Sequence, residues 1–180
     1  MFMMECRMII MPVRIILYLI KIRHIQPEEV AFAKRLIYRI AHQVFNDTRA
    51  IEESIAFYEG RSLLQDIDKF QQTYCDNDGI FLVLTDNDQI IGTGAIRKID
   101  NEICELKRLW LLFECHGKGL GYRMIQELMA FAREKGYQRV RLETDRNAQS
   151  RAFDLYKRLG FYEIPRYSNH EDETAMEMML

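Results

Sequence analysis

Three prolines and nine glycines in 180 residues leave no room for a collagen-like repeat or a low-complexity tract, and no linker divides the chain. Cysteine is scarce as well. Cys6, Cys75, Cys104 and Cys115 lie far apart with no CxxC pair, which predicts free thiols in a reducing compartment rather than a disulfide framework. The four histidines, His24, His42, His116 and His170, are equally scattered, so no metal site is expected. Excess positive charge is also missing. With 25 Lys and Arg against 27 Asp and Glu the net charge is -2, whereas a dedicated nucleic-acid binder is basic. The apolar stretch over residues 8–20, MIIMPVRIILYLI, is broken by Pro12 and Arg14 and falls short of the ~20 residues a membrane-spanning helix needs. No small-x-small cleavage pattern follows it. Residues 1–19, rich in methionine, are therefore expected to be an extension of a cytoplasmic protein whose residues 20–180 form one domain, with no membrane partner.

What is present is ordinary globular material. A hydrophobic fraction of 48% and a charged fraction of 29% support one core of useful size. Ile20, Ile22 and Ile25 open a β-rich run that ends at Gln26-Pro27-Glu28-Glu29, where proline and acidic residues announce a helix start. Val30, Ala33, Ile37, Ile40, Ala41 and Val44 then recur at helical spacing. A second helical region, interrupted near Gly60, runs from Ile51 to Phe70. From Ile80 the period changes. Residues 80–85 and 90–99 read as a hairpin around Asp86-Asn87-Asp88-Gln89, and 103–111 as a third strand. A helix over about 119–135, a strand over 139–144 and a helix over about 150–159 follow, with Gly136 and Gly160 as stops. Residues 161–164 and 174–180 complete a strand pair around an acidic loop containing His170-Glu171-Asp172-Glu173. The order implies one mixed α/β domain.

Chemistry concentrates in residues 105–122, ELKRLWLLFECHGKGLGY. Gly117, Gly119 and Gly121 stand between an apolar strand and an amphipathic helix. Glycines there permit positive φ and close approach of a ligand to the backbone. Successive N–H groups at a helix start suit a pyrophosphate, and Lys118 adds a charge to the rim. Two nucleotide motifs fail on spacing. A Walker A loop needs a hydroxyl after its lysine, but Lys118 precedes Gly119; a dinucleotide fingerprint needs GxGxxG, and this is GxGxG after hairpins.

The segment resembles the acyl-CoA signature [QR]xxGx[GA] of the GNAT superfamily of N-acyltransferases. His116-Gly117-Lys118-Gly119-Leu120-Gly121 matches it except at the first position, where His116 replaces Gln or Arg. Resemblance continues through Glu105-Leu106-Lys107-Arg108-Leu109-Trp110-Leu111, through Leu142-Glu143-Thr144, and through the Ala152…Leu155-Tyr156…Gly160-Phe161 pattern. It implies a mostly antiparallel central sheet flanked by helices, splayed at its central strands, with the pantetheine of acetyl-CoA inserted as a pseudo-strand. On that reading Leu109, Trp110 and Leu111 offer backbone partners to the pantetheine. His116, Gly117, Lys118, Gly119, Leu120, Gly121 and Tyr122 hold the pyrophosphate, and Asn147 or Gln149 touches the cofactor.

The resemblance also assigns chemistry. Tyr156 protonates the leaving thiolate; the alternative is a helix tyrosine packed in the core with its hydroxyl capped. Glu105 deprotonates the amine, directly or through water; the alternative is an exposed strand glutamate paired with Lys107 or Arg108. His116 is a weaker choice of base. Two functions stay open. One is acetyl transfer from acetyl-CoA to a primary amine of a small molecule or peptide, by a monomer or homodimer. The other is a non-catalytic acyl-CoA sensor or structural domain on the same fold. The acceptor wall is expected from residues 45–60 and 165–174.

Overall fold

Apolar side chains occupy successive positions of β2 (Ile80–Asp86), and Ile80 through Leu84 are all buried. A strand of this kind needs cover on both faces. The structure, a computed structural model describing residues 20–169 and 172–180, supplies it. The expected extension over residues 1–19, with Cys6, and the loop residues His170 and Glu171 lie outside the described residues.

Seven described strands form one sheet in the order β1-β2-β3-β4-β5-β7-β6. Besides β2 these are β1 (Ile20–His24), β3 (Gln89–Lys98), β4 (Ile103–Leu111), β5 (Arg139–Thr144), β6 (Tyr162–Glu163) and β7 (Thr174–Met179). Every neighbouring pair is antiparallel except β4 and β5. That parallel pair needs a crossover, and α5 (Leu120–Glu134) provides it. The mixed, mostly antiparallel architecture is therefore the one the resemblance implied. The final strand pair forms as expected, although β7 lies between β5 and β6 rather than at the edge.

Helices cover the two faces differently. On one, α5 and α6 (Ser150–Leu159) bury Met124, Ile125, Leu128, Phe153 and Tyr156 against Leu82, Ile96, Leu106 and Val140. On the other, α1 (Val30–Val44), α2 (Ile51–Gly60) and the short α3 (Gln65–Asp68) and α4 (Phe70–Thr73) set Ala33, Ile37, Ile55, Ile67 and Phe70 on Phe81, Val83 and Ala95. Between β2 and β3, Asn87 and Asp88 both have positive φ, 48° and 64°, the two-residue turn that matches the twist of a hairpin.

The feature that positions the site is a bulge in β4. Its register against β3 passes from Ala95↔Lys107 to Thr93↔Trp110, so Arg108 and Leu109 together oppose Gly94. Arg108 sits at φ 55°, and its carbonyl accepts the Thr93 hydroxyl at 2.7 Å. A Cβ on Gly94 would lie 2.9 Å from Leu128 Cδ1 and 3.0 Å from Met124 Cγ, so glycine lets α5 approach the strand here without displacing either side chain. The extra residue resets the alternation. Leu106 faces α5, and past the bulge Leu109 and Leu111 pack on that same core while Trp110 packs on the other. Strands β4 and β5 pair only through Ile103↔Arg139, Cys104↔Val140 and Glu105↔Arg141. Beyond Glu105 they part.

Candidate active site

A cleft of about 1090 Å3 lies along the end of β4 past the fork, slightly above the usual range for small-molecule sites. Leu109, Trp110 and Leu111 line it along β4, with Gly92 and Thr93 behind them on β3. At one end stand His116, Gly117, Gly119, Leu120, Gly121 and Tyr122; at the other side Gln149, Ala152 and Leu155 of the α6 region close it. Ile40 and Val44 of α1 supply further apolar wall, just before the 45–60 segment from which the acceptor wall was expected. The structure thus brings most of the sequence-predicted residues to one cleft.

The glycine loop turns through two left-handed residues. Gly117 and Gly119 have φ of 75° and 74°, a conformation that side chains resist. Gly119 caps α5 without a side-chain hydrogen bond, and the first turn of that helix carries no acidic residue. Its leading N–H groups are left without intrahelical partners and its positive end is not neutralised. His116, the departure from the signature, turns back toward the strand. Its Nε2–H donates to the Leu111 carbonyl at 3.0 Å, and its ring stacks on Phe113 at 5.0 Å between centroids. The imidazole therefore ties the loop to the end of β4. Lys118 is exposed on the loop and does not line the cleft.

At the opposite wall, Gln149 Oε1 accepts the Thr144 hydroxyl at 2.9 Å and the Asp145 N–H at 3.2 Å. These bonds fix the turn from β5 into α6. Asn147, by contrast, is exposed and outside the lining.

The two residues expected to do acid–base work are on opposite faces of the sheet. Tyr156 projects from α6 into the core beneath the cleft, 6% exposed, edge-on to Phe161 at 5.6 Å. It is not among the lining residues, although its helix neighbours Ala152 and Leu155 are. The ring is packed in the core, as the alternative reading has it, while its hydroxyl makes no hydrogen bond to the described residues. Burial pushes the phenol up, which keeps it a proton donor.

Glu105 alternates with Cys104 and Leu106 and so points to the face away from α5. It is 2% exposed, which corrects the exposure in the alternative reading, while the pairing with Lys107 that reading named is present. Its Oε2 accepts two bonds from Arg97, at 2.6 and 3.1 Å, and its Oε1 accepts Lys107 at 3.4 Å and the Tyr167 hydroxyl at 3.2 Å. Arg108 does not join this group; its guanidinium goes to Asp66. Glu105 also belongs to a polar row. Arg97, Glu105, Arg141, Glu177 and Tyr162 are successive cross-strand partners from β3 to β6.

Sequence reasoning missed several groups. Tyr167 falls in the 165–174 segment, but nothing local marks it as a partner of Glu105; burial, then the charges of Glu105 and Glu143, push its phenol up. Glu143, past the fork on β5, has its Oε1 buried without a hydrogen-bond partner among the described residues. Asp66 and Thr93 both grip Arg108 at the bulge.

The acetyltransferase (GNAT) family profile matches residues 41–161. The chain is 32% identical over 101 residues to the uncharacterized N-acetyltransferase YjgM of Escherichia coli (strain K12), covering 54% of this chain and 60% of that protein. It is 31% identical over 106 residues to N-acetyltransferase 8B of Homo sapiens, covering 56% and 45%. The chain thus spans about half the length of these curated relatives. Among solved structures, an acetyltransferase of the GNAT family from Staphylococcus aureus Mu50 superposes with a TM-score of 0.76 at 20% identity, over 89% of this chain and 99% of that one. The PaiA N-acetyltransferase of Thermoplasma acidophilum, in complex with coenzyme A, gives 0.72 at 23% identity, over 89% and 99%. The forked sheet and the glycine loop at a helix start are joined by a profile match over most of the chain: this protein belongs to the acetyltransferase (GNAT) family.

Proposed function

We propose that this chain transfers the acetyl group of acetyl-CoA to a primary amine of a small molecule or peptide. The observation that carries the reading is the fork. Strands β4 and β5 separate just after Glu105↔Arg141, and a cleft runs from the freed end of β4 to the glycine loop and the start of α5. An extended pantetheine fits between strands as a pseudo-strand, with its amides against the backbone of Leu109, Trp110 and Leu111. The loop from His116 to Tyr122, with Lys118 at its rim, takes the pyrophosphate through backbone N–H groups. Gln149 lines the far wall and Asn147 lies beside it. Relatives named as N-acetyltransferases, and a fold neighbour holding coenzyme A, support the same choice of cosubstrate.

Proton traffic then has two ends. The acceptor arrives mostly as an ammonium and must lose a proton before it attacks the thioester. Glu105 accepts it, directly or through a water, from the face of the sheet where Tyr167 and Arg97 hold the carboxylate in place. The thiolate leaves toward α6, where the Tyr156 hydroxyl, without a partner among the described residues, donates. Retention of both Tyr156 and Glu105 favours an enzyme over a silent acyl-CoA binder. In this reading residues 20–180 form one cytoplasmic domain, a monomer or homodimer, with no metal, nucleic-acid or membrane partner. The decisive experiment is calorimetric titration with acetyl-CoA followed by an amine panel scored for release of free coenzyme A thiol. Micromolar binding with turnover on at least one amine is expected; binding with no turnover across a broad panel selects the sensor, and no binding rejects both.

A further inference from the structure

The bulge that opens the fork is not held by its own strand. Arg108 is the one non-glycine residue of the described strands at positive φ, 55°, a conformation that an L-residue adopts at a cost. No small or flexible residue occupies the position to relieve it. A partner 42 positions earlier in sequence compensates instead. Arg108 Nε and a terminal nitrogen donate to the two carboxylate oxygens of Asp66 at 2.8 and 2.7 Å, and that same nitrogen donates to the Leu63 carbonyl at 3.0 Å. Asp66 is itself held by the Tyr74 hydroxyl. Both side chains of the pair are largely buried, 21% and 14% exposed. A fork-on-fork arginine–carboxylate pair is directional, so it fixes where the guanidinium lies and hence the backbone angle from which the side chain springs.

We propose that Asp66 is a positioning residue for the cofactor strand, acting through Arg108 to hold the β4 bulge that sets the β4–β5 fork for the pantetheine. This rests on the assignment of the cleft to acetyl-CoA. The bulge decides which way the next residues face: Leu109, Trp110 and Leu111, the cleft-lining run, begin one residue after Arg108. Relaxing φ to its ordinary negative range removes the extra residue from one side of the ladder, shifts the register against Gly94 and Thr93, and turns the amides offered to the ligand. The helices α3 and α4, far from the cleft by sequence, thereby control its width.

The test separates geometry from mere stability, and a built-in reporter helps. Trp110 is the only tryptophan and lies two residues past the bulge. Asp66→Asn is expected to shift Trp110 emission and to raise the acetyl-CoA Kd at least ten-fold. Asp66→Asn/Arg108→Gly removes the buried unpaired guanidinium and tolerates φ 55° without help, so emission and Kd should return to within about three-fold of the parent value. Asp66→Asn/Arg108→Ala removes the same charge but keeps a Cβ, and should stay about ten-fold weaker than the glycine version. Should Asp66→Asn not fold, the glycine and alanine double variants alone decide. Equal affinity and equal emission in those two would overturn the proposal, because a purely stabilising ion pair does not distinguish them. Absence of acetyl-CoA binding by the parent chain would instead reject the cofactor assignment, while the Trp110 emission series still tests the bulge.

Discussion

Arg97 reaches across the β3–β4 ladder to its direct cross-strand partner Glu105 and places two N–H donors on one carboxylate oxygen, at 2.6 and 3.1 Å. Arg97 is 37% exposed where Glu105 is 2% exposed, so the pair links the interior of the sheet to solvent. It orients the carboxylate and leaves its other oxygen to Tyr167 and Lys107.

If Glu105 is the base, Glu105→Gln should lower turnover by roughly 100-fold or more, the usual scale for an acid–base group. The loss should be greatest at low pH, where the amine is hardest to deprotonate, and shrink as pH rises. Stability should fall too, by about 1–3 kcal/mol, because Arg97 and Lys107 lose their anion but can turn toward water. A turnover loss of the same size at every pH between 6 and 9 (roughly the range in which a free amine appears) would assign Glu105 a structural role.

Tyr156 gives a cleaner separation. Its hydroxyl has no partner among the described residues while its ring packs on Phe161, so Tyr156→Phe removes a proton donor without breaking a bond. Turnover should fall by roughly ten- to a thousand-fold with acetyl-CoA affinity little changed. Unfolding free energy should stay within about 0.5 kcal/mol of the parent. Unchanged turnover would remove the tyrosine from the mechanism and leave water or the substrate's ammonium to protonate the thiolate.

These residues also show what a single sequence reveals. β4, β5 and α6 were bounded by period and by glycine stops, signals that live within a few residues. The glycine loop was legible for the same reason: positive φ at Gly117 and Gly119 is written in the residue type. Placement relative to the sheet was not. Glu105 could be read as exposed because the alternation of ICELKRLWL is hidden by a strand covered on both faces and then reset by the bulge. Arg108 carries no local mark of positive φ, since the groups that grip it there, Thr93 and Asp66, lie 15 and 42 positions earlier. The same holds for Tyr167 on Glu105, a contact spanning 62 positions. Such pairings belong to topology, which period and propensity do not encode.

Gly119 tests the anion site directly. A Cβ there meets nothing within 4 Å, but φ is 74°. Gly119→Asp therefore strains the loop by only about 1 kcal/mol, aspartate being among the residues that tolerate this region. It also sets a carboxylate where the diphosphate would lie. Acetyl-CoA binding should fall by at least 100-fold while the circular-dichroism spectrum is retained. Gly119→Asn, which brings the same strain without the charge, should lose much less. Affinity near that of the parent in the aspartate variant would sink the assignment of the loop.

The last expectation concerns acid. Burial raises the Asp66 carboxyl, but the Arg108 guanidinium and then the Tyr74 hydroxyl outweigh it and hold the group below its ordinary value of 3.8. A carboxyl depressed in the folded state contributes stability that is fully present above the unfolded value and is lost as pH falls through the folded one. Asp66→Asn should therefore cost about 1–3 kcal/mol at pH 7, since it leaves a largely buried guanidinium without its anion. The difference from the parent should be the same at pH 7 and pH 5. Below pH 3.8 it should narrow, because the parent's carboxyl then takes up a proton and gives up the same pair. Urea unfolding of both proteins at a series of pH values reads this directly, and carboxylates common to both cancel in the difference. A gap that narrows already between pH 7 and pH 5 would mean that Asp66 is not held as an anion by Arg108, and that the bulge is fixed by something else.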